Sequence, residues 1–519
     1  MFMIDILRLP DDIQIICDCK GNDVRVDVVR EEDSYSVWLT AAESAVKRIL
    51  LRWNYRTSKP TRVMGDKWER AYGDMTWHSL NGEIFMPWYF IASNGNDCVG
   101  CGVKTGANSF VCFQYDAQGV TCHIDVRNGG KGVYLNGRTL KVCEIVCEKY
   151  ENTCEFEASK RFCARLCENP VLPEAPVYGS NNWYYAYGVS SREDILADAE
   201  ILASLTEGIQ NRPYMVIDDG WSLNSCAGPW LPNQKYGDMK EIAQKFKEKD
   251  LKAGIWFRPL HDIEAEKNHP HWRINRPFEQ YLDPTHPEVK EYLKETVARI
   301  RNWGYTLIKH DYSTYDLFGR YGFSLNGMIT SDGNWSFYDN TKTNAEIVKE
   351  LYTLIQETAD NAVVIGCNTV SHLCAGIHAV NRIGDDTSGR HWSRTRTLGI
   401  NSLAFRLCQN NTFYSADADC VGILEDNIPW SLNRKWLYLL AKSGTPLFVS
   451  IQPKALTEEM KKDLREAFKI NALQSNVCAP VDWTYNNTPA VWEIDGKTEE
   501  FDFIENSYPA LLDTNTQPY

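Results

Sequence analysis

The stretch THPEVKEYLKETVARIRNWGYTLIKHDY, residues 285–312, indicates the fold of the larger part of this chain. Its first half carries apolar side chains at steps of three and four, the period of an amphipathic helix: Val289, Leu293, Val297 and Ile300. Thr285 and Glu288, on either side of Pro287, have the spacing of a helix start. Residues 306–312 are a short apolar run that ends in polar side chains. The stretch therefore predicts a helix followed by a buried strand.

The same alternation repeats between residues 176 and 470. We predict eight strands there: Asn182–Tyr187, Tyr214–Asp219, Lys252–Pro259, Thr306–Tyr312, Ala362–Asn368, Ala379–Asp386, Thr412–Asp419 and Gly444–Ser450. Further helix starts are expected at Ser190 with Glu193, at Thr343 with Glu346, and at Thr457. Eight β/α units predict a (β/α)8 TIM barrel. An open doubly wound sheet is the alternative, but it more often has a glycine-rich phosphate turn after its first strand, and the sequence has none.

Residues 1–175 have a different pattern. Apolar and polar side chains alternate in residues 23–29 and 109–115, and pairs such as Asn128-Gly129 mark turns between strands. We predict an N-terminal antiparallel β-sandwich over residues 1–175. The proline-rich segment 172–176 is expected to be a linker. Residues 471–519 return to short strand-like pieces and are predicted to form a small C-terminal β region, so the chain is expected to be multidomain.

Composition argues against several classes of function. The 519 residues include 55 basic and 69 acidic side chains, a net charge of −14, which disfavours a nucleic acid or an anionic membrane as partner. We expect no membrane span and no signal peptide, because no apolar run is long enough and the N-terminus carries acidic residues. The 17 cysteines are scattered, which predicts free thiols and a cytoplasmic location. Cys98 and Cys101 form one CxxC pair without a second, so zinc is not expected there.

Polar side chains follow the predicted strands at one end. They are Asp218 and Asp219, Lys309 and Asp311, Cys367 and Asn368, Arg382 and Asp386, and Asp417 and Asp419. In a barrel these strand ends meet on one rim, which is where active sites lie. So many carboxylates predict either a metal site or a pair of acids acting on a glycosidic bond. His269-Pro-His271 is formally a metal-binding pair, but an ordinary loop and helix start explains it better.

Two of these acids have environments that suit different roles. Lys309 and Asp311 are two apart on a strand, so their side chains leave the same face, and a neighbouring ammonium keeps a carboxyl ionised. Asp386 lies beside other acids, which raises the pKa of a carboxyl, as a general acid needs. The structural alternatives are a Lys–Asp pair inside the barrel and a helix N-cap at Asp386.

Several segments in order resemble glycoside hydrolase family 36, the clan D retaining α-galactosidases, and this chain is identified as a divergent member. The matching segments are Asn182-Trp183, Ile217-Asp-Asp-Gly-Trp221, Leu251-Lys-Ala-Gly-Ile-Trp-Phe257, His269-Pro-His-Trp272, Ile308-Lys-His-Asp311 and Arg382-Ile-Gly-Asp-Asp-Thr387. The match spans residues 180–470, and it assigns His269 and His271 to a family segment rather than to a metal.

The resemblance implies a retaining exo-α-galactosidase that needs no cofactor and no metal. Asp311 would be the nucleophile and Asp386 the acid/base, with carboxyl groups about 5–5.5 Å apart. Asp218 and Asp219 would bind the C4 and C6 hydroxyls, and Lys309 would also contact the sugar. Arg382 would contact the C2 substituent, beside Cys367 and Asn368. Trp183, Trp221 and Trp256 would wall the pocket.

Two departures from the family pattern leave the substrate open. The family usually has Glu-Pro-Glu where this chain has Arg258-Pro-Leu260, and a glycine-rich run where it has Cys367-Asn-Thr-Val-Ser371. The second segment faces C2, so an α-N-acetylgalactosaminidase, a β-L-arabinopyranosidase, a transglycosidase or a catalytically silent sugar-binding protein are alternatives. The expected partner is an oligosaccharide or glycoside. A homo-oligomer is also expected, in which Trp68 or Trp77 would border a neighbour's site.

Overall fold

A computed structural model describes residues 8–18, 21–57, 61–425, 427–473 and 477–505. The strands of the N-terminal part are β1 (Asp12–Cys17), β2 (Arg25–Arg30), β3 (Ser34–Thr40), β4 (Ala45–Asn54), β5 (Arg62–Gly65), β6 (His78–Ser79), β7 (Asn81–Pro87), β8 (Tyr89–Ser93), β9 (Cys98–Val103), β10 (Phe110–Asp116), β11 (Gly119–Asp125), β12 (Val133–Tyr134) and β13 (Thr139–Tyr150). All pairings among them are antiparallel, as the alternating pattern predicts.

These strands form two sheets. One has the order β1-β4-β11-β10-β7 with β12 beside β4, and the other has the order β2-β3-β13-β9-β8-β5-β6. The sheets contact each other through buried aromatic side chains, and the ring centroids of Phe90 and Phe113 lie 5.6 Å apart. Helix α1 (Glu155–Leu166), which the sequence pattern does not predict, packs on the second sheet. Its Phe162 ring lies so close to Gly100 that a Cβ there would come within 2.4 Å.

The larger part contains a parallel sheet. Its strands are β14 (Tyr178–Asn181), β15 (Tyr214–Ile217), β18 (Lys252–Phe257), β19 (Leu307–His310), β20 (Val363–Gly366), β21 (Val380–Arg382), β22 (Ser415–Asp417), β23 (Cys420–Ile423) and β24 (Leu447–Ile451), with a hairpin of β16 (Ser222–Asn224) and β17 (Ala227–Pro232). Their order is β22-β21-β20-β19-β18-β15-β14-β24-β23. The two ends of this order, β22 and β23, are separated in the chain only by Ala418 and Asp419. The sheet is therefore curled.

Helices alternate with these strands. They are α2 (Trp183–Ala186), α3 (Arg192–Leu205), α4 (Met239–Glu248), α5 (Ile263–Asn268), α6 (Pro287–Asn302), α7 (Ser313–Phe318), α8 (Asn344–Ala359), α9 (Ser371–Cys374), α10 (Trp392–Arg394), α11 (Ser402–Arg406), α12 (Trp430–Lys442) and α13 (Glu458–Leu473). A π-helical stretch, Thr395–Asn401, joins α10 to α11. Among the helices of the described ranges, none is both long and apolar enough to cross a membrane.

The predicted first strand is wrong in its position. The strand is Tyr178–Asn181, and the aromatic run that follows is helix α2. The Asn181 side-chain oxygen accepts a hydrogen bond from the Trp183 N–H at 3.0 Å. Such a local side-chain bond turns the chain and ends the strand.

Two of the predicted helix caps lie one residue further along the chain. The Thr285 hydroxyl donates to Asp283 at 2.6 Å, so Nδ1 of His286 accepts from the Glu288 N–H instead. The Ser190 hydroxyl accepts a hydrogen bond from the Asn182 amide at 2.9 Å, and Ser191 caps α3 instead. The capping box of Thr343 and Glu346 is confirmed.

A small antiparallel sheet follows α13. It consists of β25 (Cys478–Pro480), β26 (Val491–Ile494) and β27 (Lys497–Glu500), which are short strands of the kind expected in residues 471–519. Residues 474–476 and 506–519 of the predicted C-terminal β region lie outside the described residues, as do residues 1–7, 19–20 and 58–60 of the N-terminal part.

Candidate active site

A cavity of about 250 Å³ opens at the carboxyl ends of the parallel strands. It is lined by Arg70, Tyr72, Trp183, Tyr184, Asp218, Asp219, Cys226, Trp256, Lys309, Asp311, Tyr312, Tyr321, Phe323, Cys367, Asn368, Asp385 and Asp386. Nine of the eleven residues with a predicted catalytic or sugar-binding role are therefore brought together on one surface. The exceptions are Trp221 and Arg382.

Asp311 follows β19 and is held by two hydrogen bonds. The indole N–H of Trp256 donates to Oδ2 at 3.2 Å, and the backbone N–H of Tyr312 donates to Oδ1 at 2.7 Å. Burial disfavours the charged carboxylate, but the positive charges of Arg70 and Lys309 together with these two hydrogen bonds outweigh it, so the pKa of Asp311 lies below its ordinary value. Asp311 is therefore an ionised carboxylate that faces the cavity.

Asp386 follows β21, and its surroundings shift its pKa in the opposite direction from that of Asp311. Burial and the neighbouring Asp385 raise the pKa of Asp386 to about 6, against the opposing effect of Arg382 and Arg70. Nη2 of Arg382 lies 3.0 Å from Oδ1 of Asp386. No helix begins at Asp386, which excludes the N-cap interpretation. The carboxyl can thus hold a proton near neutral pH and release it.

Lys309 and the Asp218-Asp219 pair also line the cavity. Nζ of Lys309 lies 2.8 Å from Oδ2 of Asp218, so the ammonium is paired with that carboxylate. Asp219 accepts hydrogen bonds from the backbone N–H groups of Cys226 at 2.8 Å and Gly220 at 2.7 Å. Burial nevertheless raises the pKa of Asp219. Both acids are fixed by their neighbours and line the cavity.

Cys367 and Asn368 follow β20. Nη1 of Arg382 lies 3.6 Å from Sγ of Cys367, and burial raises the pKa of this thiol. The Asn368 amide donates to Glu69 and accepts from the Tyr315 N–H at 3.3 Å. The thiol is therefore neutral, and the amide is held in one orientation.

Trp221 does not form the pocket wall that the resemblance implies. Its indole is fully buried, donates to the Trp256 carbonyl at 2.8 Å and packs against Trp230. It supports Trp256 from behind because the backbone at Gly220 adopts a positive φ of 105° and turns the following side chain away.

Arg382 also lies behind the cavity surface. Its guanidinium contacts Asp386 and Asp419, each at 3.0 Å, and its side chain is 2% exposed. It therefore positions Asp386 and Cys367 rather than lining the pocket.

The N-terminal part contributes residues that the sequence did not reveal. Arg70 and Tyr72 line the cavity, and both lie between β5 and β6. Trp68 and Trp77, the two candidates from this region, are buried within the chain at 4% exposure, and neither lines the cavity. Residues 66–74 are rich in charged and aromatic side chains, which is the one sequence feature that could have drawn attention to them. Their sequence does not indicate that they contact a strand end some 300 residues away.

The arginine that departs from the family pattern has a structural role. Arg258 donates to Asp316 through Nη2 at 2.6 Å and Nε at 2.9 Å, and its guanidinium lies 4.3 Å from the ring centroid of Tyr312. Because Tyr312 follows Asp311 and lines the cavity, Arg258 supports the wall beside that acid.

One group of side chains in the described ranges has the spacing of metal ligands: His269, His271 and Glu288. It lies outside the cavity, two of its members are exposed, and Nε2 of His271 is 3.5 Å from Glu288. The Trp272 indole already donates to Glu288 at 2.5 Å. The cavity residues form no such group.

No family model and no curated protein sequence matches this chain. Solved structures do, at low sequence identity. The α-galactosidase from Thermus thermophilus in complex with p-nitrophenyl α-D-galactopyranoside is 15% identical, with a TM-score of 0.64 over 91% of this chain and 99% of that one. The family 36 α-galactosidase AgaA from Geobacillus stearothermophilus with 1-deoxygalactonojirimycin is 13% identical, with a TM-score of 0.60 over 93% and 77%. The galactosidase domain of AgaSK is 15% identical, with a TM-score of 0.59 over 93% and 73%. The chain therefore has the fold of the family 36 α-galactosidases.

Proposed function

We propose that this protein is a retaining exo-α-galactosidase and a divergent member of glycoside hydrolase family 36. The observation that carries the proposal is the pair of acids on one cavity surface, with Asp311 kept ionised and Asp386 able to hold a proton. The likeness of fold to α-galactosidases supports the same conclusion.

The reaction has two steps. Asp311 attacks the anomeric carbon, the bond from that carbon to the leaving oxygen breaks, and Asp386 gives its proton to that oxygen. A galactosyl ester on Asp311 results. Asp386, now a carboxylate, takes a proton from water, which attacks the anomeric carbon and releases Asp311. Two inversions retain the configuration, and this chemistry requires carboxyl groups about 5–5.5 Å apart.

The remaining polar residues bind the sugar. Asp218 and Asp219 accept hydrogen bonds from the C4 and C6 hydroxyls, and Lys309 donates to the ring substituents from its pair with Asp218. Trp183 and Trp256 wall the ring. Cys367 and Asn368 face C2, and Arg382 acts there through Cys367.

The leaving group occupies the mouth of the cavity. A volume of about 250 Å³ is below the roughly 300–1,000 Å³ of typical ligand pockets, so it suits a single ring. The aromatic side chains at the mouth are Tyr72, Tyr321 and Phe323, and Phe323 is 55% exposed. The ring centroids of Tyr72 and Phe323 lie 5.2 Å apart. Arg70, two residues before Tyr72, pairs with Asp385, so these rings lie on the side where Asp386 would protonate the leaving oxygen. An apolar face of a second ring fits there.

The architecture follows from the strand order. We infer that β22 and β23 are two halves of one strand position, so that the curled sheet closes as an eight-position (β/α)8 barrel. The proposed domains are 1–175, 176–470 and 471–519. A homo-oligomer and a cytoplasmic location remain predictions.

An α-N-acetylgalactosaminidase is the second candidate, because Cys367-Asn-Thr369 replaces the glycine-rich segment of the family at C2. Turnover of p-nitrophenyl α-galactoside and of the matching N-acetylgalactosaminide distinguishes the two. Proton NMR of the first product gives the stereochemistry. The proposal expects α-galactose to appear first, and β-galactose as first product would contradict the retaining mechanism. No turnover of either glycoside would favour the silent sugar-binding alternative.

A further inference from the structure

The segment of residues 66–75, between β5 and β6, joins the antiparallel sheets to the candidate active site. Asp66 forms a buried ion pair with Arg406 at 2.8 Å. Ala71 N–H donates to the Ile383 carbonyl at 2.8 Å, and Asp385 N–H donates to the Ala71 carbonyl at 3.0 Å. The segment is thus bonded as a short strand to the chain between β21 and Asp386, and Arg70 is fixed beside the acids.

The Arg70 guanidinium lies among the groups of the site. Its Nη2 is 2.9 Å from Asp385, its Nη1 is 3.7 Å from Asp386, and Nη1 is 3.9 Å from Sγ of Cys367. The side chain is 12% exposed. A cation at this depth requires compensating negative charge, and Asp385 and Asp386 supply it. It reaches the site from outside the parallel sheet.

We propose that Arg70 is a positioning residue of the active site, which orients Asp385 and Asp386 and holds a fixed positive charge toward Asp311. This inference rests on the proposed function, since it concerns the same two acids. It adds that the working protonation states depend on a side chain from the N-terminal part.

Other charged and titratable groups face the two acids. Those facing Asp386 are Arg382, Asp385, Asp419 and Tyr184, and those facing Asp311 are Lys309, His310, Tyr312, Tyr321, Cys226 and Cys367. Arg70 lowers the pKa of both acids, against the effect of burial. Removing its charge therefore raises both pKa values.

Removing the Arg70 charge should move both limbs of the kcat/KM pH profile in the same direction. The nucleophile must be ionised, so a higher pKa of Asp311 moves the acid limb of kcat/KM to higher pH. The acid/base must be protonated, so a higher pKa of Asp386 moves the alkaline limb to higher pH as well. Arg70→Met should therefore lose most activity at acid pH and progressively less toward alkaline pH. A merely structural defect would lower kcat/KM by the same factor at every pH.

The test is the pH profile of kcat/KM for p-nitrophenyl α-galactoside in wild type, Arg70→Met and Arg70→Lys. We expect both limbs to move to higher pH in Arg70→Met and to return toward wild type in Arg70→Lys. Lys67→Met is the matched control, because it removes a cation of the same segment whose partner is the exposed Asp74. Limbs that stay in place in Arg70→Met, or that move equally in Lys67→Met, overturn the inference.

A second measurement needs neither turnover nor a stable Arg70→Met protein. Infrared titration of protein labelled with ¹³C-aspartate follows the carboxyl groups. Subtracting the spectra of the same protein carrying Asp386→Asn leaves the signal of the Asp386 carboxyl alone. We expect its midpoint to be higher in Arg70→Met, or in Arg70→Gln if the first variant does not fold, than in an Arg70 background. An unchanged midpoint overturns the inference. Wild type that hydrolyses no glycoside refutes the proposed function and leaves this result to decide the role of Arg70.

Discussion

The ammonium of Lys309 lies 2.8 Å from the carboxylate of Asp218, which belongs to a strand end two positions away in the sheet. The lysine two positions before the nucleophile candidate is therefore a charged ammonium paired with a different acid. Burial disfavours its charge, but Asp218 more than compensates, so the pKa of Lys309 lies well above its ordinary value. The pair links the sugar-binding wall to the wall that holds Asp311.

Lys309→Met should impair both the fold and catalysis. The side chains of Lys309 and Asp218 are 12% and 4% exposed, and breaking a buried pair by removing one partner costs about 3–5 kcal/mol. Urea unfolding measures this loss. Lys245→Met, which removes an exposed lysine paired with Glu248, is the control and should cost much less. Equal stability of the two variants would show that the Lys309 pair is not a stabilising contact.

Titration of Asp386 should set the alkaline limb of the pH profile of kcat/KM. Burial and Asp385 raise its pKa to about 6, so kcat/KM of wild type should fall as the pH rises above this value. In Asp386→Asn the limb should disappear, and kcat/KM should drop by about 10²–10⁴-fold. The loss should be smallest for substrates whose leaving group needs no protonation. A persisting limb in Asp386→Asn would assign the titration to another group.

Phe323 is expected to act on the leaving group alone. Phe323→Ala should lower kcat/KM for melibiose about tenfold, because a lost apolar contact of this size is worth roughly 1–3 kcal/mol. Activity on α-galactosyl fluoride, which carries no second ring, should stay within twofold of wild type. Tyr338, 66% exposed and outside the cavity, supplies the control variant Tyr338→Ala. Equal losses on the two substrates would place Phe323 at the galactose rather than at the leaving group.

Much of the site could be predicted from the sequence because its acids directly follow the parallel strands. Asp218, Asp311 and Asp386 lie within four residues of a strand end, and parallel strands bring their carboxyl ends to one rim. The apolar runs therefore placed these residues even where the strand bounds were off by several residues.

The rest depended on contacts between distant segments. Arg70 reaches Asp385 across 315 positions, and that approach is set by the Asp66–Arg406 pair and the backbone bonds of Ala71, none of which leaves a periodic pattern. Trp221 illustrates the opposite case. Its motif is recognisable in the sequence, but the turn at Gly220 directs the indole behind the wall. Sequence patterns locate strand ends well, but they do not determine side-chain direction after a glycine turn.

The central claim is that Asp311 and Asp386 act on one anomeric centre, with Asp311 as the nucleophile. Incubation with 5-fluoro-α-galactosyl fluoride, followed by peptide mass spectrometry, traps and locates the glycosyl-enzyme. The account predicts one fluorogalactosyl group per chain, attached to Asp311 and absent in Asp311→Asn. A label on any other carboxylate, or inactivation of Asp311→Asn at the wild-type rate, would contradict it.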